Sequence, residues 1–361
     1  MKTPIPTLCS HISRKYIKLG LVNFLSWNVI TLVKLDGVVE MIDLILKAIA
    51  YSSSIALMAS GITIIYIATR TFNFAHASMV SWGFLIMFAL YSWFGGTPYY
   101  YVLVAAAFSG FLGVIIYYSV NRRLLKANAS GITLMMSTLG VDLILFAAIN
   151  LFADYLTNVY KVNARLFFLE LKDISIGTIG GVNIRAAPLV SILVVVLVIT
   201  LLHTFLTKTT LGTAMRATIE NTSLAMVLGV NPEIVYVLSW FLGGALAGLG
   251  GALLSLIYVG RPEVGMEIIV TMFAGSIVGG LYSIFGSLLG GFLVGLSEYL
   301  GITFLSLSFG GWILAYKPLI PLAAMVLALL IYPQGIGGIS LRRITVKSIG
   351  ISSRKNKVVK D

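Results

Sequence analysis

Long apolar runs fill most of the chain, and short polar stretches punctuate them. Runs near 49–69, 77–94, 100–120, 131–153, 187–207, 233–258, 267–281, 286–305 and 312–332 approach the ~20 residues that an α-helix needs to cross a bilayer. They are continuously apolar, whereas barrel strands alternate with period two over about ten residues. The pattern predicts an all-α polytopic membrane protein with about eight to ten transmembrane helices. The seventh run is short, as expected of a tilted half-helix buried against protein instead of facing lipid.

Composition agrees. Only 11% of the 361 residues are charged and 58% are hydrophobic, against roughly 25% charged in soluble domains. The net charge of +12 concentrates in loops and tails, where anionic lipid and the insertion machinery explain it better than nucleic acid does. Arg122, Arg123 and Lys126 place the loop after the third run in the cytoplasm, and Lys208 and Arg216 do the same after the fifth. Arg342, Arg343, Lys347, Arg354, Lys355, Lys357 and Lys360 make 339–361 a basic cytoplasmic tail. Segment 154–186, with mixed charges and a Gly-Gly turn signal, is then a small external excursion. The only cysteine, Cys9, can form no intrachain disulfide.

Residues 1–40 read as an N-terminal extension to a transmembrane domain at 41–338. Nine crossings with a cytoplasmic C-terminus put the chain just before residue 49 outside, whereas Arg14, Lys15 and Lys18 favour the inside. An extra crossing at about 17–33, a signal-like segment or a start at Met41 would each reconcile the two.

One polar island stands out, Met215 to Pro232. Thr213 to Ile219 is compatible with a helix that carries Met215 and Ile219 on one face. Asn221, Thr222 and Ser223 are N-cap candidates for a second short helix through Leu228, and Gly229 suits a left-handed helix end. Asn231-Pro232-Glu233 then supplies a cap, a first-turn proline and an acid at the positive end of the next span. Leu224, Met226, Val227 and Leu228 beside Arg216 and Glu220 give an apolar centre with a charged rim, as on docking surfaces. The plainer alternative is a loop packed under the bundle.

Other polar residues sit among apolar ones. Asn73 and His76, between the first two spans, suit a polar hinge in which Asn73 caps the next helix and His76 bonds across to another. A lone histidine without a second ligand at useful spacing argues against a metal. Asp142 and Glu298 fall inside apolar runs, where a carboxylate faces protein or water. They are candidates for the solute pathway or for buried structural hydrogen bonds. Small residues four apart at Gly244/Gly248, Ala247/Gly251, Gly275/Gly279, Gly286/Gly290 and Gly291/Gly295 let helix backbones approach closely. They serve tight packing, a narrow route, or both.

The chain has no G-x-x-x-x-G-K-[ST] phosphate loop, no H-E-x-x-H and no G-x-S-x-G. It is not expected to be an enzyme or to bind a cofactor or metal of its own. A proton-coupled secondary carrier using Asp142 or Glu298, and a membrane scaffold, are the rival classes.

Gly61-Ile-Thr-Ile-Ile-Tyr66, Asn73-Phe-Ala-His76, Arg216-Ala217 with Leu228-Gly229, and Gly279-Gly-Leu-Tyr-Ser-Ile-Phe-Gly-Ser-Leu-Leu-Gly-Gly291 followed by Gly295 and Glu298 resemble the permeases of branched-chain amino-acid ABC importers. Pro262, Gly265 and Tyr332-Pro333-Gln-Gly335 fit the same pattern. The likeness covers roughly 41–338 and favours the LivH type over its longer LivM sibling. It implies a multi-pass cell-membrane subunit that pairs with a second, related permease. It also implies two ATPase subunits, which would hold the ATP and magnesium, and an extracytoplasmic solute-binding protein. Arg216 to Gly229 falls on the cytoplasmic coupling loop that ATPases grip. Members of the family carry branched-chain or other amino acids, urea or short amides. Ala77, where the family usually has glycine, and the extension 1–40 depart from the pattern.

Overall fold

The computed structural model describes residues 41–179 and 182–338. The extension 1–40, the basic tail 339–361 and Gly180-Gly181 lie outside the described residues. In chain order the elements are α1 (Met41–Thr69), α2 (His76–Phe94), α3 (Pro98–Lys126) and α4 (Gly131–Tyr160), then strands β1 (Ser175–Ile179) and β2 (Val182–Arg185). There follow α5 (Ala187–Lys208), α6 (Thr210–Glu220), α7 (Thr222–Val227), α8 (Pro232–Leu254), α9 (Val264–Gly279), α10 (Ile284–Phe309) and α11 (Leu319–Ile331). Among the described residues, eight helical stretches are long and apolar enough to cross a membrane, and α9 is the short apolar helix that the seventh run foretells.

Boundaries move where local chemistry overrides hydropathy. Helix α1 is already helical at Met41, eight residues before the apolar run, because Asp43 and Lys47 dilute the signal without breaking the helix. Helix α4 carries on past 153 through Asp154 to Tyr160. The last crossing begins at Leu319, not 312, after a 3-10 turn over Gly311–Tyr316. Pro318 sits at its N-cap, where a missing N–H costs nothing.

The chain divides into two compact units. The smaller holds, among the described residues, Met41–Leu46 and an antiparallel hairpin that pairs Gly177 with Ile184 and Ile179 with Val182. A register shift lies between Ser175 and Gly177.

The larger unit contains the helix bundle, and its packing is set by missing side chains. A Cβ on Gly61 of α1 would lie 2.7 Å from the Gly243 carbonyl of α8. On α8, Gly244 and Gly248 abut Ser109 of α3, and Gly251 abuts Val80 of α2. Gly279 sits against Gly286 and Gly290, joining α9 to α10, while Gly291 and Gly295 lie against Ala56 and Ser52 of α1. Such contacts replace a hydrophobic driving force, which lipid tails do not supply, with van der Waals contact between backbones.

Candidate functional site

Four parts of the chain meet at one end of the bundle: the α1–α2 turn, the end of α3, the stretch from α5 to α8 and the α9–α10 turn. The polar island forms there as a capped helix pair. Thr209 accepts the Gly212 amide at 3.0 Å and starts α6. That helix buries Gly212, Met215 and Thr218 and turns Arg216 and Glu220 outward. Asn221 accepts the Leu224 amide at 3.0 Å and starts α7. Gly229, at φ +84°, closes it while the Val230 amide reaches back to the Ala225 carbonyl, 3.0 Å away. Asn231 accepts the Glu233 amide at 3.0 Å and opens α8.

The pair therefore displays Leu224, Met226, Val227 and Leu228, the last two 83% and 72% exposed. Exposed leucine is ordinary on a lipid-facing helix. Here it lies on a polar segment between capped short helices, so its exposure asks for a partner.

One contact ties the helix pair to the bundle, and a second fixes the start of α8 that follows it. The Arg70 guanidinium, from the α1–α2 turn, donates to the Ile219 carbonyl at 3.4 Å and lies over the Tyr282 ring at 4.9 Å. Arg122, at the end of α3, pairs with Glu233 at the start of α8, with Lys126 3.9 Å from the same carboxylate. Nothing in the sequence alone gives Arg70 this role.

A second polar layer surrounds the start of α2. Its N-cap is Ala75, which offers no side-chain bond, so Asn73 does not cap this helix as expected. Asn73 Nδ2 instead faces the Met79 sulfur at 3.6 Å. The capping comes from α4. Thr138 Oγ1 accepts the Phe74 amide at 3.1 Å, and Asp142 Oδ1 accepts the Ser78 amide at 3.1 Å. Ser78 Oγ donates in turn to the Asp142 carbonyl at 3.1 Å. A carboxylate at the positive end of a helix is favoured electrostatically as well. His76 is fully buried, and its Nε2 donates to the Met58 carbonyl of α1 at 3.0 Å.

Glu298 belongs to a different cluster. It is 1% exposed, accepts the Tyr51 hydroxyl at 3.0 Å and lies 3.5 Å from the Lys317 ammonium. The structure thus brings Asn73, His76 and Asp142 to one helix start and sets Glu298 apart. Lys317, Tyr51, Ser78 and Thr138 escaped sequence reasoning, although Lys317 shows as a single cation inside the last apolar run. Among the described residues, no group of three or more His, Cys, Asp or Glu side chains is placed to hold a metal ion.

Comparison with known proteins extends these observations. Residues 44–329 match the family described as "Branched-chain amino acid transport system / permease component". The chain is 37% identical over 297 residues to a probable branched-chain amino acid transport permease protein LivH of Methanocaldococcus jannaschii, covering 82% of this chain and 92% of that one. It is 27% identical over 311 residues to LivH of Salmonella typhimurium, covering 81% and 94%. It is 28% identical over 303 residues to BraD of Pseudomonas aeruginosa, again covering 81% and 94%. No solved structure gives a significant match. With a family match across most of its length and a relative above 30% identity, this multi-pass membrane chain belongs to the branched-chain amino-acid transport permeases, on the LivH side of that family.

Proposed function

We propose that the chain is a cell-membrane subunit of an ABC importer that moves branched-chain amino acids or a related small polar solute. In this reading it pairs with a second permease, receives solute from an extracytoplasmic binding protein, and is driven by two ATPase subunits that hydrolyse ATP in its place. The observation that carries it is the capped pair α6–α7. It offers Leu224, Met226, Val227 and Leu228 inside a rim of Arg216 and Glu220, and it is tied through Arg70 to the α1–α2 turn.

Orientation follows from charge. Arg70, Arg122, Arg123, Lys126, Lys208 and Arg216 all lie in or beside the loops at the α6–α7 end, and positive loops stay in the cytoplasm. That assignment also puts the C-terminus inside.

Nucleotide binding closes the ATPase dimer and draws α6 and α7 with it. The spans behind them then rock between outward and inward access. The ATPases' differing contact with the two states supplies the bias, since a ligand shifts an equilibrium only by its differential affinity.

The test is double charge reversal, Arg216→Glu with Glu220→Arg, in the chain reconstituted with its ATPases. ATP-driven uptake should disappear while membrane insertion is unchanged. Normal uptake by that variant would overturn the coupling role. Uptake driven by a pH gradient with no ATPase present would instead support the proton-coupled carrier.

A further inference from the structure

Lys317 occupies an unusual seat. It immediately precedes Pro318 in the turn before α11, yet its side chain is only 22% exposed and its ammonium reaches into the bundle. It lies 3.5 Å from Glu298 Oε1, 4.8 Å from the centroid of the Tyr51 ring and 5.1 Å from that of Tyr258. Tyr51 Oη donates to the other Glu298 oxygen at 3.0 Å, and both side chains are buried. The Tyr299 ring backs Tyr51 at 5.5 Å.

A desolvated carboxylate beside two aromatic faces is the chemistry that recognises an organic ammonium. As a structural prop the arrangement is a poor choice, because a buried ion pair adds little over well-packed apolar residues of similar volume. Next to this seat, Tyr258 Oη donates to Glu267 Oε2 at 3.3 Å, and Arg261 stands 3.5 Å from Glu267. A solvent-exposed Arg261–Glu267 pair therefore adjoins the box, at the end of the bundle away from α6–α7.

We propose that Glu298, Tyr51 and Tyr258 form the receptor for the substrate's ammonium group, and that Lys317 is its tethered occupant, exchanged out when substrate enters. This rests on the reading that the chain carries amino acids. At rest the lysine satisfies Glu298 and fills the box, so neither water nor an inorganic cation has an empty site to enter. An incoming primary ammonium makes the same bonds that Lys317 gives up. The exchange is near-balanced in energy for such a solute and unfavourable for one with no positive nitrogen. The flexible stem of lysine lets its charge swing toward Glu267 without moving the backbone.

The test uses the full chain in nanodiscs with the subunits that co-purify with it. A water-soluble carbodiimide activates a carboxylate and fuses it to an amine in contact with it, and peptide mass spectrometry reads the product. At rest, a Lys317–Glu298 amide is expected. Isobutylamine, a branched primary amine with no carboxylate, should reduce that cross-link roughly tenfold when present at about ten times its dissociation constant. It should also appear as an amide on Glu298. Isobutanol at the same concentration should leave the cross-link unchanged. In Lys317→Met, the isobutylamine adduct on Glu298 should rise. If that variant does not fold, the wild-type chain still decides.

A cross-link that persists under saturating isobutylamine with no adduct on Glu298 would overturn the exchange. So would equal suppression by isobutanol, or a resting chain that forms no cross-link. ATP-driven uptake by the same preparation in liposomes is scored separately. Uptake together with a persistent cross-link removes the ammonium box alone, whereas no uptake of any amino acid removes the importer reading beneath it.

Discussion

Arg70 holds the Ile219 carbonyl at 3.4 Å, so the last turn of α6 is tied to the peptide that joins α1 to α2. Arg70 adopts φ +55°, which is uncommon for a residue with a Cβ. Its guanidinium also rests on Tyr282, between α9 and α10. Three separate helix junctions therefore share one side chain.

Arg70→Met should accordingly uncouple the protein more than it destabilises it. The bond is solvent-exposed, so its loss should lower stability by only about 0.5–1.5 kcal/mol. Uptake per ATP hydrolysed should nevertheless fall severalfold in the reconstituted importer. Arg70→Lys keeps the charge but loses the planar fork, and should recover only part of the ratio. A wild-type ratio in the methionine variant would detach Arg70 from coupling.

Asp142 makes a prediction that separates structure from proton transport. Its Oδ1 holds the Ser78 amide at 3.1 Å, at a helix start with no cap of its own. Asp142→Leu leaves that amide unpaired in an apolar setting and should cost about 1–3 kcal/mol. Asp142→Asn keeps a carbonyl oxygen in the same place and should restore most of the thermal stability and uptake. If Asp142 carried protons, asparagine would stop transport as thoroughly as leucine does. Thermal unfolding and uptake, measured on both variants, decide between the two.

What could be read from the sequence was local. The crossings are apolar runs of fixed length, and Asn221, Gly229 and Asn231 signal helix ends within three residues of the groups they satisfy. The bonds that join helices were not legible. Ser78 and Asp142 are 64 residues apart, and Tyr51 and Glu298 are 247 apart. No periodicity links a carboxylate on one helix to an amide on another. Asn73 was expected to cap α2 because it is an asparagine before a helix, the usual local solution. The chain uses Thr138 and Asp142 from α4 instead, so a correct reading of residue type gave the wrong partner.

The glycines divide into those with a neighbour and those without. A Cβ at Gly248 would lie 2.5 Å from the Ser109 Cβ and 2.7 Å from the Ala105 carbonyl. Gly248→Ala must push α3 from α8, and should reduce the folded yield and lower the unfolding temperature. At Gly140, in the interior of α4, an added methyl group would have nothing within 4 Å. Gly140→Ala should be neutral or stabilising by up to about 1 kcal/mol, since alanine gives up less backbone freedom in a helix. Equal effects from the two substitutions would show that close backbone contact does not hold this bundle together.

Gly229 tests whether the docking pair must keep its shape. Its φ of +84° lets the Val230 amide bond the Ala225 carbonyl at 3.0 Å and so finish α7 beneath Leu228. A side chain there would meet nothing within 4 Å, so substitution acts through backbone strain alone. Alanine in the left-handed region costs roughly 1–2 kcal/mol, and asparagine less, because its short polar side chain tolerates that conformation. Valine, branched at Cβ, should be worst. Bundle stability should hardly change along the series, because the strain sits in a surface turn. Hydrogen exchange at 222–230 should instead accelerate in the order Gly, Asn, Ala, Val, and retention of the ATPases after purification should fall in the same order. Should the wild type and the three variants keep their ATPases equally while exchange still rises, the partner does not read the shape of α7, and the docking surface must be sought elsewhere on the chain.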